Sequence, residues 1–262
     1  MSIATVGCNF ACAHCQNHEI SQMPRNGNEI MGRDLPPEEV VALSRRQGAA
    51  SISYTYTEPT IFFEYALDTA RLATRAGLKN VFVTNGYMTQ EALETIGSDL
   101  HAANVDLKAF SDDFYKNICR AKIEPVKETI VRMKASGVWV EVTTLIIPGY
   151  NDDQDELRRL AGWLAGVGTD IPWHISRFHP TYRLTQAELT PTETIHLARE
   201  IGLAAGLKYV YTGNVRGDVG EKTYCPGCGG LLVDRTGFSV SANNLMEGSC
   251  PACREPASGV WS

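Results

Sequence analysis

Short runs of β-branched and aromatic residues alternate along this chain with stretches whose apolar positions recur every three or four residues. The runs predict strands at Ile3–Gly7, Ser51–Tyr56, Asn80–Thr84, Asn104–Leu107, Val138–Ile147 and Trp173–Phe178, with a seventh at Tyr209–Tyr211. The stretches between them predict amphipathic helices. Val126, Ile130 and Met133 stand at i, i+4 and i+7, and Gly137 offers a stop. Leu157, Leu160, Ala161 and Leu164 form another apolar face, for which Asn151 or Asp152 is the candidate cap. Thr190-Pro191-Thr192-Glu193 reads as a capping box with proline at the first helical position.

Strand-then-helix units recur roughly every 25–35 residues, which calls for a parallel sheet with right-handed crossovers. Six or seven such units suit an α/β fold of the open kind, a partial (β/α)6 TIM-like barrel, better than a closed eightfold one. Functional residues then belong at the C-terminal ends of the strands. After about Asn214 the texture changes: Gly, Pro and Cys become frequent and helical periodicity stops. The expected organisation is a barrel over residues 1–213 and a small module over residues 214–262, with the boundary between Thr212 and Thr223.

Composition narrows the class. Of the 262 residues 44% are hydrophobic, which supports a sizeable core. A net charge of −6 argues against a dedicated nucleic-acid binder. No apolar run approaches the ~18 residues of a membrane span, and the first residues lack the basic-then-apolar pattern of a signal peptide. A cytoplasmic protein is expected. The eight cysteines are clustered: three lie near the start, four form two CxxC pairs near the end, and Cys119 stands alone. This distribution points to metal binding in a reducing compartment rather than to a disulfide scaffold.

Gly7-Cys8-Asn9-Phe10-Ala11-Cys12-Ala13-His14-Cys15 is a CxxxCxxC segment. Three thiolates at Cys8, Cys12 and Cys15 can bind three corners of a [4Fe–4S] cluster and leave one iron open, whereas fully ligated clusters usually take four cysteines. The open iron can chelate an amine and a carboxylate. The alternative is a zinc site completed by His14 or His18. The spacing and its surroundings resemble the radical S-adenosylmethionine (radical SAM) superfamily. Within it, Cys15-Gln16-Asn17 looks like the glycyl-radical-enzyme activases of the pyruvate formate-lyase type, and GCNFACAHCQNHEISQ looks still more like the radical SAM component of the AmmeMemoRadiSam system. The resemblance covers nearly the whole chain. Only seven residues precede Cys8, where those relatives usually carry an extra segment, so a function of that segment is not carried over.

The resemblance implies roles at later strand ends. Thr57 and Glu58, followed by Pro59, resemble a Gly-Gly-Glu-like motif that holds the ligand's ammonium group; the alternative is a helix N-cap. Val83-Thr84-Asn85-Gly86 resembles the activases' Asp-Thr-Asn-Gly, which makes Asn85 a candidate contact, although Val83 replaces the acidic residue. Asp106-Leu107-Lys108 matches their Asp-x-Lys, and period two would place Asp106 and Lys108 on one face, towards the ligand carboxylate and ribose; an interior salt bridge is the alternative. His179 matches a histidine near ribose and adenine, with a polar surface residue as the alternative. His14 sits where many relatives have an aromatic residue on the adenine, and Phe10 is expected to shield the cluster from water. Cys119 reads as a small helix-end or core residue.

Tyr224-Cys225-Pro226-Gly227-Cys228 and Ser249-Cys250-Pro251-Ala252-Cys253 flank a hairpin-like stretch, Leu231–Val233 and Phe238–Val240, with turn residues Asp234–Gly237 between. Two such knuckles, as in a zinc ribbon or rubredoxin, present four thiolates tetrahedrally. Zinc is the first choice, with mononuclear iron as the alternative. The expectation for the whole chain is a radical SAM enzyme. It would use a [4Fe–4S] cluster to cleave S-adenosylmethionine to a 5′-deoxyadenosyl radical and abstract hydrogen from a substrate. The resemblance implies a low-potential electron donor such as flavodoxin or ferredoxin, and a protein partner activated through a glycyl radical. Radical modification of a small molecule or peptide in the AmmeMemoRadiSam context, or a non-catalytic metal-binding adaptor, are the alternatives.

Overall fold

A computed structural model describes residues 1–27 and 30–261. Strands β1 (Ser2–Ile3), β2 (Ser51–Tyr54), β3 (Lys79–Thr84), β4 (Ala102–Asp106), β5 (Trp139–Ile146), β6 (Trp173–Arg177) and β7 (Val210–Gly213) follow sequence order in one sheet. The described pairings between them are parallel. Helices α1 (His18–Ser21), α2 (Met23–Asn26), α3 (Pro37–Arg46), α4 (Phe63–Arg75), α5 (Gln90–Ile96), α6 (Asp112–Phe114), α7 (Glu124–Ala135), α8 (Gln154–Val167) and α9 (Thr192–Ala204) lie in the connections. This is the strand–helix alternation of the expected α/β fold, with the seventh strand present. Among the described residues no helix is long and apolar enough to cross a membrane.

The chain divides into two compact units. The first comprises Met1–Leu107, Ser111–Glu141 and Thr181–Thr185. In β2 the buried positions alternate, Ile52 and Tyr54 being fully enclosed. Helix α4 buries Ala66, Leu67, Ala70 and Ala73, the apolar face set by its sequence period. A buried asparagine ties helix to strand: Asn80 donates to the Ala70 carbonyl and accepts from the Tyr54 hydroxyl. Helix α7 buries Val126, Ile130 and Met133 as expected.

The second unit comprises Lys108–Phe110, Val142–Pro180 and the chain from Gln186 onwards. Helix α8 buries Leu157, Leu160, Ala161 and Leu164. Trp173, fully enclosed, donates its indole N–H to Thr144 Oγ1 at 2.9 Å. The C-terminal part adds a three-stranded antiparallel sheet of β8 (Thr223–Tyr224), β9 (Leu231–Thr236) and β10 (Ser239–Asn243).

Several local expectations are corrected. The first strand stops at Ile3, because the backbone turns out of the sheet before Gly7, which has φ 109°. The cap of α8 is Asp153, whose side chain accepts from the Glu156 N–H, not Asn151 or Asp152. Asn151 is buried and holds the backbone of Ile147, Lys108 and Leu145 instead. No capping box forms at α9: Thr190 Oγ1 accepts from the Phe178 N–H and donates to the Ile146 carbonyl, so it is spent on two strand ends. The C-terminal hairpin is longer than expected, and Asp234–Thr236 belong to β9 rather than to the turn.

In the same unit Asp218 is nearly enclosed and lies 2.6 Å from His196 Nε2. Burial works to raise its pKa, but hydrogen bonds from Thr212, His196 and the Gly220 N–H outweigh it and hold the carboxyl below its ordinary value. A depressed carboxylate stabilises the fold above its unfolded pKa and ceases to do so as pH falls through the folded one. The loss of stability in Asp218→Asn is therefore expected to be full at neutral pH and to vanish in acid. Denaturant unfolding of both proteins across that range checks it.

Candidate functional site

The first unit carries the three-cysteine loop. Between β1 and α1 the chain is pinned by backbone bonds: Gly7 N–H to the Ile20 carbonyl at 3.0 Å, Ala11 N–H to Cys119 at 3.1 Å, and Ala13 N–H to Ile118 at 2.9 Å. The Phe10 carbonyl accepts from Gln22, which joins α1 to α2, and from Arg25 of α2. Phe10 itself is buried and meets Tyr87 and Tyr115 edge-on, with ring centroids 5.3 and 6.2 Å apart. It thus fills the space beneath the loop with ring rather than water. Cys119 is fully buried at the end of a π-helical turn, Tyr115–Cys119, and supports the loop through its carbonyl.

Polar groups lie against two of the sulfurs of this loop. The Phe10 N–H points to Cys8 Sγ at 3.4 Å, Asn85 Nδ2 to the same sulfur at 3.7 Å, and Ser21 Oγ lies 3.2 Å from Cys15 Sγ. None of the three cysteines is in a disulfide. Three soft sulfur ligands, with two N–H groups aimed at Cys8 and a hydroxyl beside Cys15, are the donor chemistry that an iron–sulfur cluster requires.

Glu58 ends the segment after β2 and is fully buried. Its Oε1 accepts from the Thr60 N–H (3.2 Å), the Thr60 hydroxyl (3.0 Å) and the Thr84 hydroxyl (2.7 Å); its Oε2 accepts from the Asn85 N–H at 2.7 Å. Burial pushes its carboxyl above the usual carboxylate range, against the pull of these four donors. The capping alternative raised by the sequence is therefore present: Glu58 caps the 3-10 turn Pro59–Phe62. Asn85, also buried, accepts from the Tyr87 N–H and donates to Asn9 Oδ1 at 2.6 Å. Asn9, Thr60, Thr84 and Ser21 carry this arrangement and were not singled out in the sequence. Asn9 and Ser21 stand inside the GCNFACAHCQNHEISQ stretch and Thr84 precedes Asn85, so position beside the motif was the available signal.

Gly86 explains the end of the same motif. Its φ is 72°, and a Cβ there would lie 2.7 Å from Val105 Cγ1 and 3.2 Å from Val126 Cγ1. Gly86→Ala is expected to cost about 2–4 kcal/mol through left-handed backbone and overpacking, measured as a drop in unfolding free energy.

The remaining candidates are distributed. Thr57 donates its hydroxyl to the Thr5 carbonyl at 2.8 Å, next to Tyr56, which has φ 65°. His14 is buried, 6.0 Å from the Phe114 ring. Asp106 ends β4, and the Leu107 N–H folds back to the Val105 carbonyl at 3.1 Å. The strand ends at Asp106, while the alternation of burial continues, Leu107 being buried and Asp106 and Lys108 half-buried on either side of it. Lys108 and the exposed His179, two residues past β6, belong to the second unit. His174 stacks on Tyr211, with centroids 5.2 Å apart, a packing role.

The second unit holds Cys225, Cys228, Cys250 and Cys253, whose sulfurs all lie within 4.8 Å of one another. Cys225 and Cys253 are 3.5 Å apart, Cys228 and Cys250 3.7 Å. Thiolates at tetrahedral angles on a metal about 2.3 Å away stand about 3.8 Å apart, so the four are pre-set for one ion. Two matching knuckles make this: Gly229 N–H bonds to the Cys225 carbonyl and Arg254 N–H to the Cys250 carbonyl, both at 2.9 Å. The N–H of Cys253, with further donors, brings the Cys250 thiol down to about 7. Cys253 is pushed up to about 12: the Glu255 N–H works to lower it, but Cys225 and the other crowded thiols prevail.

The Radical SAM superfamily model matches residues 2–161. The chain belongs to the radical SAM superfamily. It is 48% identical over 246 residues to an uncharacterized protein of Methanocaldococcus jannaschii, covering 94% of this chain and 72% of that one. It is 25% identical over 181 residues to the pyruvate formate-lyase 1-activating enzyme of Escherichia coli K12, covering 64% of this chain and 71% of the other. A domain of the pyruvate-formate lyase-activating enzyme of Bacteroides vulgatus superposes with a TM-score of 0.55 at 15% identity, covering 63% of this chain and all of that one. Streptococcus suis SuiB bound to S-adenosylmethionine superposes with a TM-score of 0.63 at 10% identity, covering 81% and 50%. These likenesses show the fold of a radical SAM enzyme. Membership implies a [4Fe–4S] cluster and S-adenosylmethionine, and the donor set around Cys8 and Cys15 fits that cluster.

Proposed function

We propose that this radical SAM enzyme holds its cluster on Cys8, Cys12 and Cys15 and cleaves S-adenosylmethionine reductively to remove hydrogen from a substrate. Held by Cys8, Cys12 and Cys15, a [4Fe–4S] cluster would supply the one-electron reduction that splits the sulfonium of S-adenosylmethionine into methionine and a 5′-deoxyadenosyl radical. The observation that carries the reading is the pinned loop whose Cys8 sulfur receives two N–H donors and whose Cys15 sulfur lies beside the Ser21 hydroxyl. The chain's own part is orientation and exclusion of water. Phe10 keeps solvent from beneath the loop. Thr57, Asp106, Lys108, His179 and His14 are assigned to the nucleoside and its methionyl end by resemblance. Electrons come from a low-potential donor such as a flavodoxin or ferredoxin.

For the substrate we favour a protein partner converted to a glycyl radical form. The likeness to activating enzymes supports this, as does a 25% identity over 207 residues to a putative glycyl-radical enzyme activating enzyme of Methanocaldococcus jannaschii. Val83, which stands where the activases have an acidic residue, counts against it. Action on another substrate in the AmmeMemoRadiSam context is the second reading, supported by the GCNFACAHCQNHEISQ stretch. Residues 214–262 form, in this account, a zinc-binding module that folds the tail.

Anaerobic reconstitution with iron, sulfide, reductant and S-adenosylmethionine tests the reaction. Release of 5′-deoxyadenosine is expected; its absence from a cluster-loaded protein would favour the adaptor alternative. An organic radical signal on an added glycyl radical protein would select the activase reading.

A further inference from the structure

From Asn85 to Glu58 the hydrogen bonds run in one direction, Asn85 donating to Asn9, Asn9 to Thr60 and Thr60 to Glu58, while the same Asn85 amide also donates to Cys8 Sγ. A carboxylate only accepts, so Thr60 and Thr84 must turn their hydroxyl hydrogens towards Glu58. That leaves Thr60 Oγ1 as an acceptor, filled by Asn9 Nδ2 at 3.3 Å, while the same amide nitrogen donates to the Tyr87 carbonyl at 3.2 Å. Asn9 must therefore present Oδ1 to its other neighbour, Asn85 Nδ2, at 2.6 Å. On its second side Asn85 is fixed the same way, since its Oδ1 accepts from the Tyr87 N–H at 2.9 Å. Its amide nitrogen is thus left facing Cys8 Sγ. No member of the relay can flip without setting like against like.

We infer that Glu58 is a positioning residue: acting through Thr60, Asn9 and Asn85, it orients an amide N–H onto the Cys8 sulfur and so holds the cluster loop and raises the reduction potential of what that loop binds. The inference rests on the reading of Cys8, Cys12 and Cys15 as cluster ligands. It departs from the ammonium-ligand role suggested by resemblance, because the side chain is fully buried and both oxygens already accept hydrogen bonds, three on Oε1 and one on Oε2. An N–H directed at a ligating sulfur stabilises the more negative, reduced cluster, so its removal drives the potential down.

Two variants test this. Glu58→Gln puts an amide where four donors converge and frees the relay to reverse. Asn85→Asp keeps size and shape but turns an oxygen on Asn9 Oδ1 and Cys8 Sγ, and serves if Glu58→Gln does not fold. After anaerobic reconstitution, both are expected to shift the cluster midpoint potential to more negative values and to lose iron to a chelator about tenfold faster than the parent, with S-adenosylmethionine affinity little changed. An unchanged potential and iron retention, with weakened S-adenosylmethionine binding, would overturn the inference and restore the ligand role. A parent protein that takes up no cluster would sink the proposed function. In that event hydrogen exchange of the Ala11 and Ala13 amides in the metal-free proteins decides the positioning role: faster exchange in the variants supports it, and equal exchange refutes it.

Discussion

Cys12→Ser, reconstituted anaerobically, is expected to carry no intact [4Fe–4S] cluster and to release no 5′-deoxyadenosine above background. The argument is local. Cys12 is 7% exposed, and the peptides on either side of it are tied down, Ala11 to Cys119 and Ala13 to Ile118. Its carbonyl accepts from the Cys15 N–H at 3.2 Å, which closes the turn between the two cysteines. A serine at this position keeps the backbone and cannot swing another donor into place. Iron–sulfur clusters are held by thiolates, and a hydroxyl is a poor substitute for a soft ligand. The substitution removes one sulfur from a buried site and adds no bulk, so the thermal unfolding of the metal-free protein should stay near that of the parent. Iron and sulfide analysis, the visible absorbance and product chromatography check it. A variant with full iron content and parental turnover would remove Cys12 from the site.

The second large effect is expected at the other end of the chain. Cys250→Ser should abolish metal uptake by the C-terminal module and leave its residues open to proteolysis. The buried cluster of this region consists of Cys225, Leu232, Cys250 and Ala257, with Val233 and Leu245 packed against it. Two of its four buried members are thus sulfurs that face the other two cysteines. A core this small does not offset the entropy of ordering the segment, and a bound metal would supply the difference, about 10–16 kcal/mol apparent for structural zinc in small folds. Metal analysis should show about one zinc per chain in the parent and a near-complete loss in the variant. Limited proteolysis should then cut within the segment. Parental zinc content, or a metal-free tail as resistant as the parent's, would contradict the account.

Much of the fold could be read from periodicity. The helix faces at Val126–Met133 and Leu157–Leu164 are buried as spaced, and six of the strand centres fall where β-branched and aromatic residues concentrate. Strand ends were harder. Ile3–Gly7 shrank to Ser2–Ile3 and Leu107 left the strand, because the chain turns there into loops whose geometry depends on partners far away in sequence. The caps failed for a related reason. Thr190 had the right neighbours for a capping box, but two strand-end groups of the second unit compete for its hydroxyl and win.

At the site, residue types that bind iron or zinc declare themselves by spacing, so both cysteine sets were visible. Glu58 and Asn85 were also visible, but not what they touch. The bonds that engage them come from Asn9, Thr60 and Thr84, ordinary polar residues brought together by the β2 and β3 ends and the loop after β1. A network of neutral donors and acceptors has no spacing signature, and only its geometry reveals the direction in which it runs.

One measurement bears most directly on the central claim. Electron paramagnetic resonance of the anaerobically reconstituted, reduced protein should show a [4Fe–4S] cluster whose signal changes when S-adenosylmethionine is added, because three cysteine ligands would leave one iron for the nucleoside to chelate. A protein that assembles no such cluster, or one whose signal is indifferent to S-adenosylmethionine, would contradict it.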